Sequence, residues 1–348
     1  MLTVTATGDP VLDVLDLQVE FHTDEGRVQA VRGVSYQLRR GEALGIVGES
    51  GSGKSVTSLA VMGLLPGSAR VAGSVRFSGT ELLGAPDSQL RRVRGQGISM
   101  IFQDPVTSLN PVYTVGYQIA EAIRAHHDLT RHAAREKAVE LLGRVSIPNP
   151  TQRVDNYPHE LSGGMCQRVV IAIAMANHPE VIIADEPTTA LDVTVQAQVL
   201  ETLRTAKQQT GAAMVLITHD LGVIAGQADR VLVMYAGRIV EAGTVEDIFY
   251  APRMPYTLGL LGSQPRLDLR RQRLHPITGA PPSVIHMAPG CPFAPRCPLV
   301  APVCEIEEPP LAAVGSTSGH LSACHFSDKL DGLEPGEVFR PLSQDSRS

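Results

Sequence analysis

A chain of 348 residues with 43% hydrophobic side chains has room for two domains, or one with a substantial appendage, and can bury a packed core, which excludes a disordered or fibrous polypeptide. Its formal charge of -6 and pI near 6.0 argue against a broad basic face that follows a nucleic-acid backbone. The start MLTVTATGDPVLDVLDLQVEF lacks the basic residues and apolar core of a signal peptide, and runs such as VVIAIAMA fall far short of the roughly 20 residues that span a bilayer. A cytosolic chain with reduced thiols, which does not itself cross a membrane, is therefore expected.

The first strong element in chain order is ALGIV (residues 43–47), an apolar run of buried-strand type, followed by GESGSGKS (48–55) and the helix-like SVTSLAVMGLL. The octet fits G-x-x-x-x-G-K-[ST] in the strand–loop–helix context that the motif requires. Gly48, Glu49, Ser50, Gly51, Ser52 and Gly53 let backbone N–H groups form a nest for phosphates. The helix continuing through Val56 adds its positive N-terminal end, Lys54 a mobile charge and Ser55 a hydroxyl for Mg²⁺. The competing reading is a plain Gly/Ser connector.

Further on, TRHAAREKAVELLGRV (130–145) predicts a helix capped by Thr130, with Ala134, Ala138, Leu141, Leu142 and Val145 on one face. YPHELSGGMCQR then places Ser162, Gly163 and Gly164 before a helical run, as an N-cap and turn or as a second phosphate nest. VIIADEPTTALD (181–192) is a buried strand ending in two acids. Asp185 would hold Mg²⁺ through water and Glu186 would orient or deprotonate the attacking water, the competing role for both being a helix cap. Asp192 could cap the helix VTVQAQVLETLRTAKQQTG, which Gly211 would end. MVLITHD (214–220) ends a third strand at His219, either structural or a γ-phosphate contact.

LSGG-x-x-QR ahead of the strand with Asp185 and Glu186 resembles the signature of the ATP-binding-cassette family, matched by Leu161, Ser162, Gly163, Gly164, Gln167 and Arg168. The resemblance implies an α/β P-loop NTPase (RecA-like) core with an antiparallel β subdomain and a helical insertion at about 104–165. It implies pairing with a second cassette, head to tail, so that each signature covers the nucleotide held by the other chain. Gln103 in ISMIFQDPVTSLNP matches the glutamine that senses Mg²⁺ and attacking water, and Asp192 falls in the family's turn between cassettes. Phe21 is the nearest candidate to stack on adenine, with core burial as its competing reading. Cys166 departs from the pattern, since arginine is usual there.

No coiled coil separates the two halves of the site and only one cassette is present, which speaks against the chromosome-associated and translation-associated relatives. GIVGESGSGKS, IFQDPVTSLNP, EPTTALDVTVQAQVL, PYTLGLLGSQP and GAPPSVIHMAPGCPFAPRCP together resemble the ATPase subunits of oligopeptide, dipeptide and nickel-type importers over nearly the whole chain. The nucleotide-binding domain is expected over 1–250 and a Cys/Pro-rich extension over 251–348. In that extension Cys291, Cys297, Cys304 and Cys324 have five, six and nineteen residues between them, with little periodicity around them. Buried thiols, a zinc site and an iron–sulfur cluster are the open readings, disulfides conflicting with a reducing compartment. The resemblance implies a [4Fe–4S] cluster, with zinc as the alternative. This segment is expected to lie apart from every phosphate-binding residue.

The resulting expectation is a peripheral ATPase on the cytoplasmic face of the membrane, using ATP and Mg²⁺. It would be paired with a second and different cassette, docked on two permease subunits and supplied with peptide by an extracytoplasmic binding protein, with no nucleic acid involved. The alternative is a soluble ATP-dependent clamp or scaffold acting on nucleic acid.

Overall fold

The computed structural model describes residues 9–339 except 25, 190, 264–275, 283–284, 286 and 316–318, so part of the expected extension lies outside the described residues. Strands β1 (Leu12–Thr23) and β2 (Gly26–Leu38) alternate buried with exposed positions, the pattern of a sheet with one face on a core. They pair antiparallel from Leu12 opposite Leu38 to Thr23 opposite Gly26. Strand β3 (Ala43–Val47) is buried at every position, as a strand covered on both faces must be. Helix α1 (Lys54–Val61) follows the glycine-rich loop; β4 (Ala69–Phe77) and β5 (Thr80–Glu81) return to the first sheet, and α2 (Asp87–Val93) leads into β6 (Ile98–Ile101).

A helical excursion comes next: α3 (Pro105–Ser108), α4 (Val115–Arg124), α5 (Arg131–Arg144) and α6 (Pro150–Arg153), then a single 3₁₀ turn (Pro158–Glu160) and α7 (Gly163–Met175). The Thr130 hydroxyl caps α5 by accepting the Ala133 N–H, and Ala134, Ala138, Leu141, Leu142 and Val145 are all buried, the face expected from their spacing. Strand β7 (Val181–Asp185) re-enters the sheet, followed by α8 (Val193–Thr210), β8 (Ala213–Thr218), α9 (Leu221–Ala225), β9 (Arg230–Tyr235) and β10 (Arg238–Thr244). Helix α8 starts where Asp192 accepts the N–H groups of Thr194 and Val195, and ends at Gly211, whose φ of 69° suits a residue without Cβ. Beyond it lie α10 (Val245–Tyr250), α11 (Pro255–Gly262), α12 (Pro302–Ile306) and the two-residue strands β11 (Ala312–Ala313) and β12 (Leu321–Ser322).

The strands form an antiparallel sheet ordered β2-β1-β4-β5 and a larger one ordered β11-β12-β10-β9-β3-β8-β7-β6. Strands β9, β3, β8, β7 and β6 are mutually parallel, whereas β10, β12 and β11 extend that sheet antiparallel. Successive side chains point to opposite faces, so Ala43 and Val47 join a core shared with α4, α5 and α7, while Leu44 and Ile46 join the core beneath the antiparallel sheet. The parallel strands thus end along one edge, where open α/β sheets bind ligands. Among the described residues, no helix is long and apolar enough to cross a membrane.

Candidate nucleotide site

Strand β3 ends at Val47 and α1 begins at Lys54, so the glycine-rich loop turns back over the sheet edge within six residues. It fits only with glycine at two points. A Cβ on Gly48 would stand 2.2 Å from the Met234 carbonyl oxygen, and one on Gly53, where φ is 99°, 2.5 Å from that of Ala30. The loop is thereby pressed between β2 and the end of β9. Lys54 Nζ donates to the carbonyl oxygens of Gly48 at 2.7 Å and Glu49 at 2.9 Å; burial pulls its pKa down while Glu186, Asp185 and Glu49 push it back up.

Strand β7 delivers Asp185 and Glu186, β8 delivers His219 and β6 delivers Gln103 to the same edge. Ser55 Oγ donates to Asp185 Oδ1 at 3.0 Å, which brings two hard oxygen ligands together in the manner that Mg²⁺ accepts. Burial raises the Asp185 pKa and the bond from Ser55 opposes that rise. Around Glu186 Oε2 stand Gln103 Nε2 at 3.3 Å, Thr189 Oγ1 at 2.9 Å and His219 Nδ1 at 3.3 Å. A carboxylate aimed this way can accept a proton from water while the amide and imidazole hold neighbouring oxygens. The cleft has a volume of about 610 Å³ and is lined by residues 49–56 with Gln103, Glu186, His219, Leu260, Ser263 and Ile277.

The signature residues lie elsewhere. Ser162 caps α7 by accepting the Met165 N–H, and Ser162 and Gly163 are exposed, away from this chain's own cleft. Gly164 packs against α8, where a Cβ would meet Val195 Cγ1 at 2.4 Å. Gln167 departs from its expected role as a contact to a partner's nucleotide: it is fully buried within α7, and among the described residues neither polar atom of its amide has a hydrogen-bond partner. Arg168 reaches Ser146 and Gln198, and the Cys166 thiol is buried and donates to the Pro158 carbonyl at 3.4 Å. Phe21 is half-buried: it packs against the core beneath the antiparallel sheet and is not among the residues that line the cleft, which favours its core reading over adenine stacking.

The C-terminal segment does not lie apart from the phosphate loop. Tyr256 Oη accepts the Glu49 backbone N–H at 2.8 Å, and Arg296 holds the Glu49 carboxylate through both terminal nitrogens, at 2.6 and 2.9 Å. No local pattern marks this pair, whose members are 247 positions apart. The four C-terminal cysteines do gather: burial foremost pushes the Cys297 thiol up to about 12 and that of Cys324 to about 11, and the other sulfurs of the group add to both rises. Yet among the described residues no group of three or more His, Cys, Asp and Glu side chains is placed to hold a metal ion. As they stand, Cys304 is buried and Cys291, Cys297 and Cys324 are half-buried against the apolar core.

Comparison with known proteins gives two family matches: "ABC transporter" over residues 31–189, and "Oligopeptide/dipeptide transporter, C-terminal region" over residues 240–304. The dipeptide transport ATP-binding protein DppD of Bacillus subtilis is 54% identical over 85% of this chain and 89% of its own length. The oligopeptide transport ATP-binding protein OppD of Escherichia coli is 49% identical over 91% of this chain and 93% of its own. The OppD of Mycobacterium tuberculosis is 56% identical over 95% of this chain; the chain spans only 54% of that relative's length. Among solved structures, the cassette MJ0796, described as dimeric, post-hydrolysis and bound to ADP and Pi, superposes with a TM-score of 0.60 at 26% identity, covering 67% of this chain and 98% of its own. The cbiO1 protein of Clostridium perfringens, part of the ABC transporter complex cbiONQ, gives 0.58 at 27% identity over 70% and 92%.

Proposed function

Because the chain belongs to the ATP-binding-cassette family, among its oligopeptide and dipeptide transport ATP-binding proteins, we propose that it hydrolyses ATP to drive peptide uptake through a membrane importer. The observation that carries this reading is the convergence of Gln103, Thr189 and His219 on Glu186 beside the Lys54 loop and the Ser55–Asp185 pair. In it, Lys54 and the loop N–H groups bind the β- and γ-phosphates, Ser55 and Asp185 hold Mg²⁺, Glu186 takes the proton of the attacking water, and His219 contacts the γ-phosphate. Leu161 and the exposed turn at Ser162 and Gly163 close a second cassette's nucleotide. That pairing is supported by their distance from this chain's own cleft.

The chain acts peripherally on the cytoplasmic face, with a different cassette as partner, two permease subunits and a peptide-delivering binding protein. The family relatives favour this over a nucleic-acid clamp, which nothing in them supports. The nucleotide-binding unit runs over 1–250, with its helical insertion at about 104–165, and the extension over 251–348. For the four cysteines, a structural [4Fe–4S] cluster or zinc is supported by the proximity of their sulfurs alone.

Glu186→Gln in the complete transporter, with the partner cassette also disabled, tests the hydrolytic assignment. ATP binding persists while turnover falls about 10²–10⁴-fold, the range for losing a general base. The isolated native chain, lacking a second signature, turns over slowly; normal turnover by the Gln variant or by a demonstrable monomer would refute the scheme.

A further inference from the structure

The phosphate loop carries an acid of its own. Glu49 lies at its second position, and Lys54 is the only lysine or arginine among the described residues that line the cleft, against Glu49 and Glu186 on its wall and Asp185 just behind. A free carboxylate in the loop repels the phosphates that the loop exists to bind. Arg296 answers that charge. Its side chain is only 4% exposed, its two terminal nitrogens fork onto both Glu49 oxygens, and its Nε donates to the Thr278 carbonyl at 3.2 Å. Nη1 also donates to Tyr235 Oη at 3.3 Å, and the guanidinium carbon stands 5.9 Å from the ring centres of Tyr235 and Phe293. These contacts leave the guanidinium little freedom, so it is pre-organised around a bidentate carboxylate. Tyr256 fixes the same loop residue from its backbone side and packs on Tyr235 and Phe293, with ring centres 4.5 and 5.5 Å away.

We propose that Arg296 is a positioning residue of the nucleotide site: by clamping and neutralising Glu49 it makes the phosphate loop accept a polyanion, so that the cysteine-rich tail sets nucleotide affinity. The guanidinium is carried on the turn Ala294–Arg296, between Cys291 and Cys297. Whatever holds that turn therefore holds the loop. This rests on the nucleotide-site reading above, which fails by itself if the unaltered chain does not bind MgADP.

The test compares calorimetric MgADP affinity of the full chain with Arg296→Gln, and with Arg296→Gln combined with Glu49→Gln. Arg296→Gln weakens binding about tenfold and raises KM for ATP more than it lowers kcat, because the repulsion acts on bound ground state and transition state alike. The loss shrinks at high salt. Removing the Glu49 charge in the double variant returns affinity to within about threefold of the native chain, as neutralisation of a local charge requires. If Arg296→Gln fails to fold but the double variant folds and binds, the uncompensated carboxylate is again the cause. Unchanged affinity in Arg296→Gln overturns the proposal. So does a loss that Glu49→Gln does not repair, or failure of both variants to fold, since the pair is then a staple for the tail.

Discussion

Asp185 is 5% exposed and ionisable, and burial holds its pKa above the ordinary carboxylate value. A group whose pKa is higher folded than unfolded stabilises the fold below its unfolded pKa, and that contribution is lost as pH rises through the folded value. At neutral pH the charge therefore opposes folding, and it is retained for the metal. Asp185→Asn should raise the melting temperature of the nucleotide-free chain by about 1–3 °C at pH 7.5, and the gain should shrink as pH is lowered toward about 4, while Mg²⁺-dependent turnover is lost. Scanning calorimetry across pH checks this, and a lower melting temperature at pH 7.5 would count against it. The loop, Asp185, Glu186 and His219 were legible in the sequence because each sits at a strand end, where a few adjacent residues specify both backbone and chemistry. The buried position of Gln167 was not legible for the converse reason, and Phe21 kept two readings open, since nothing in their neighbours says which way a side chain points once the helix and the sheet pack.

Helix α7 meets α8 at a point where no side chain fits. Gly164, expected to serve a nucleotide, also lets Val195 approach its Cα. Gly164→Ala should cost about 1–3 kcal/mol through overpacking. Adding Val195→Ala, which frees that space, should recover part of the loss. Urea unfolding of the single and double variants measures this, and additive losses in the pair would show that the contact does not limit packing. At this scale the sequence was informative wherever periodicity ran for several turns, as in α5, or where a cap stood at each end, as with Asp192 and Gly211 around α8. Strands β11 and β12 could not be read. Two residues carry no period, and the place of this short hairpin in the sheet is set by the pairing of β12 with β10, which lies far earlier in the chain.

Over the whole molecule, the tail is bound to the nucleotide unit at separate points: Arg296 on Glu49, Glu308 between Arg32 and Arg238, and His320 on Glu241. Its cysteines stand next to the first of these. If they hold a metal, anaerobic purification should yield about four iron atoms per chain and a brown protein, or one zinc and a colourless one. Removing the metal should lower the melting temperature of the chain before it alters hydrolysis by the assembled transporter. A native preparation with neither element would leave four unligated thiols packed at the core. Such long-range attachment is what a sequence conceals, since Arg296 reads as one basic residue among prolines until the fold brings it to a loop 247 positions earlier. The antiparallel additions to the large sheet carry one more consequence. Strand β10 is covered by β12 through Glu241 opposite Ser322 and Ala242 opposite Leu321, and Glu241 itself is fully buried against His320. A chain clipped ahead of β11 would leave β10 with a bare row of N–H and C=O groups and a stranded carboxylate. Such an edge recruits the same edge of another copy, so the last strands guard the protein against clumping with itself.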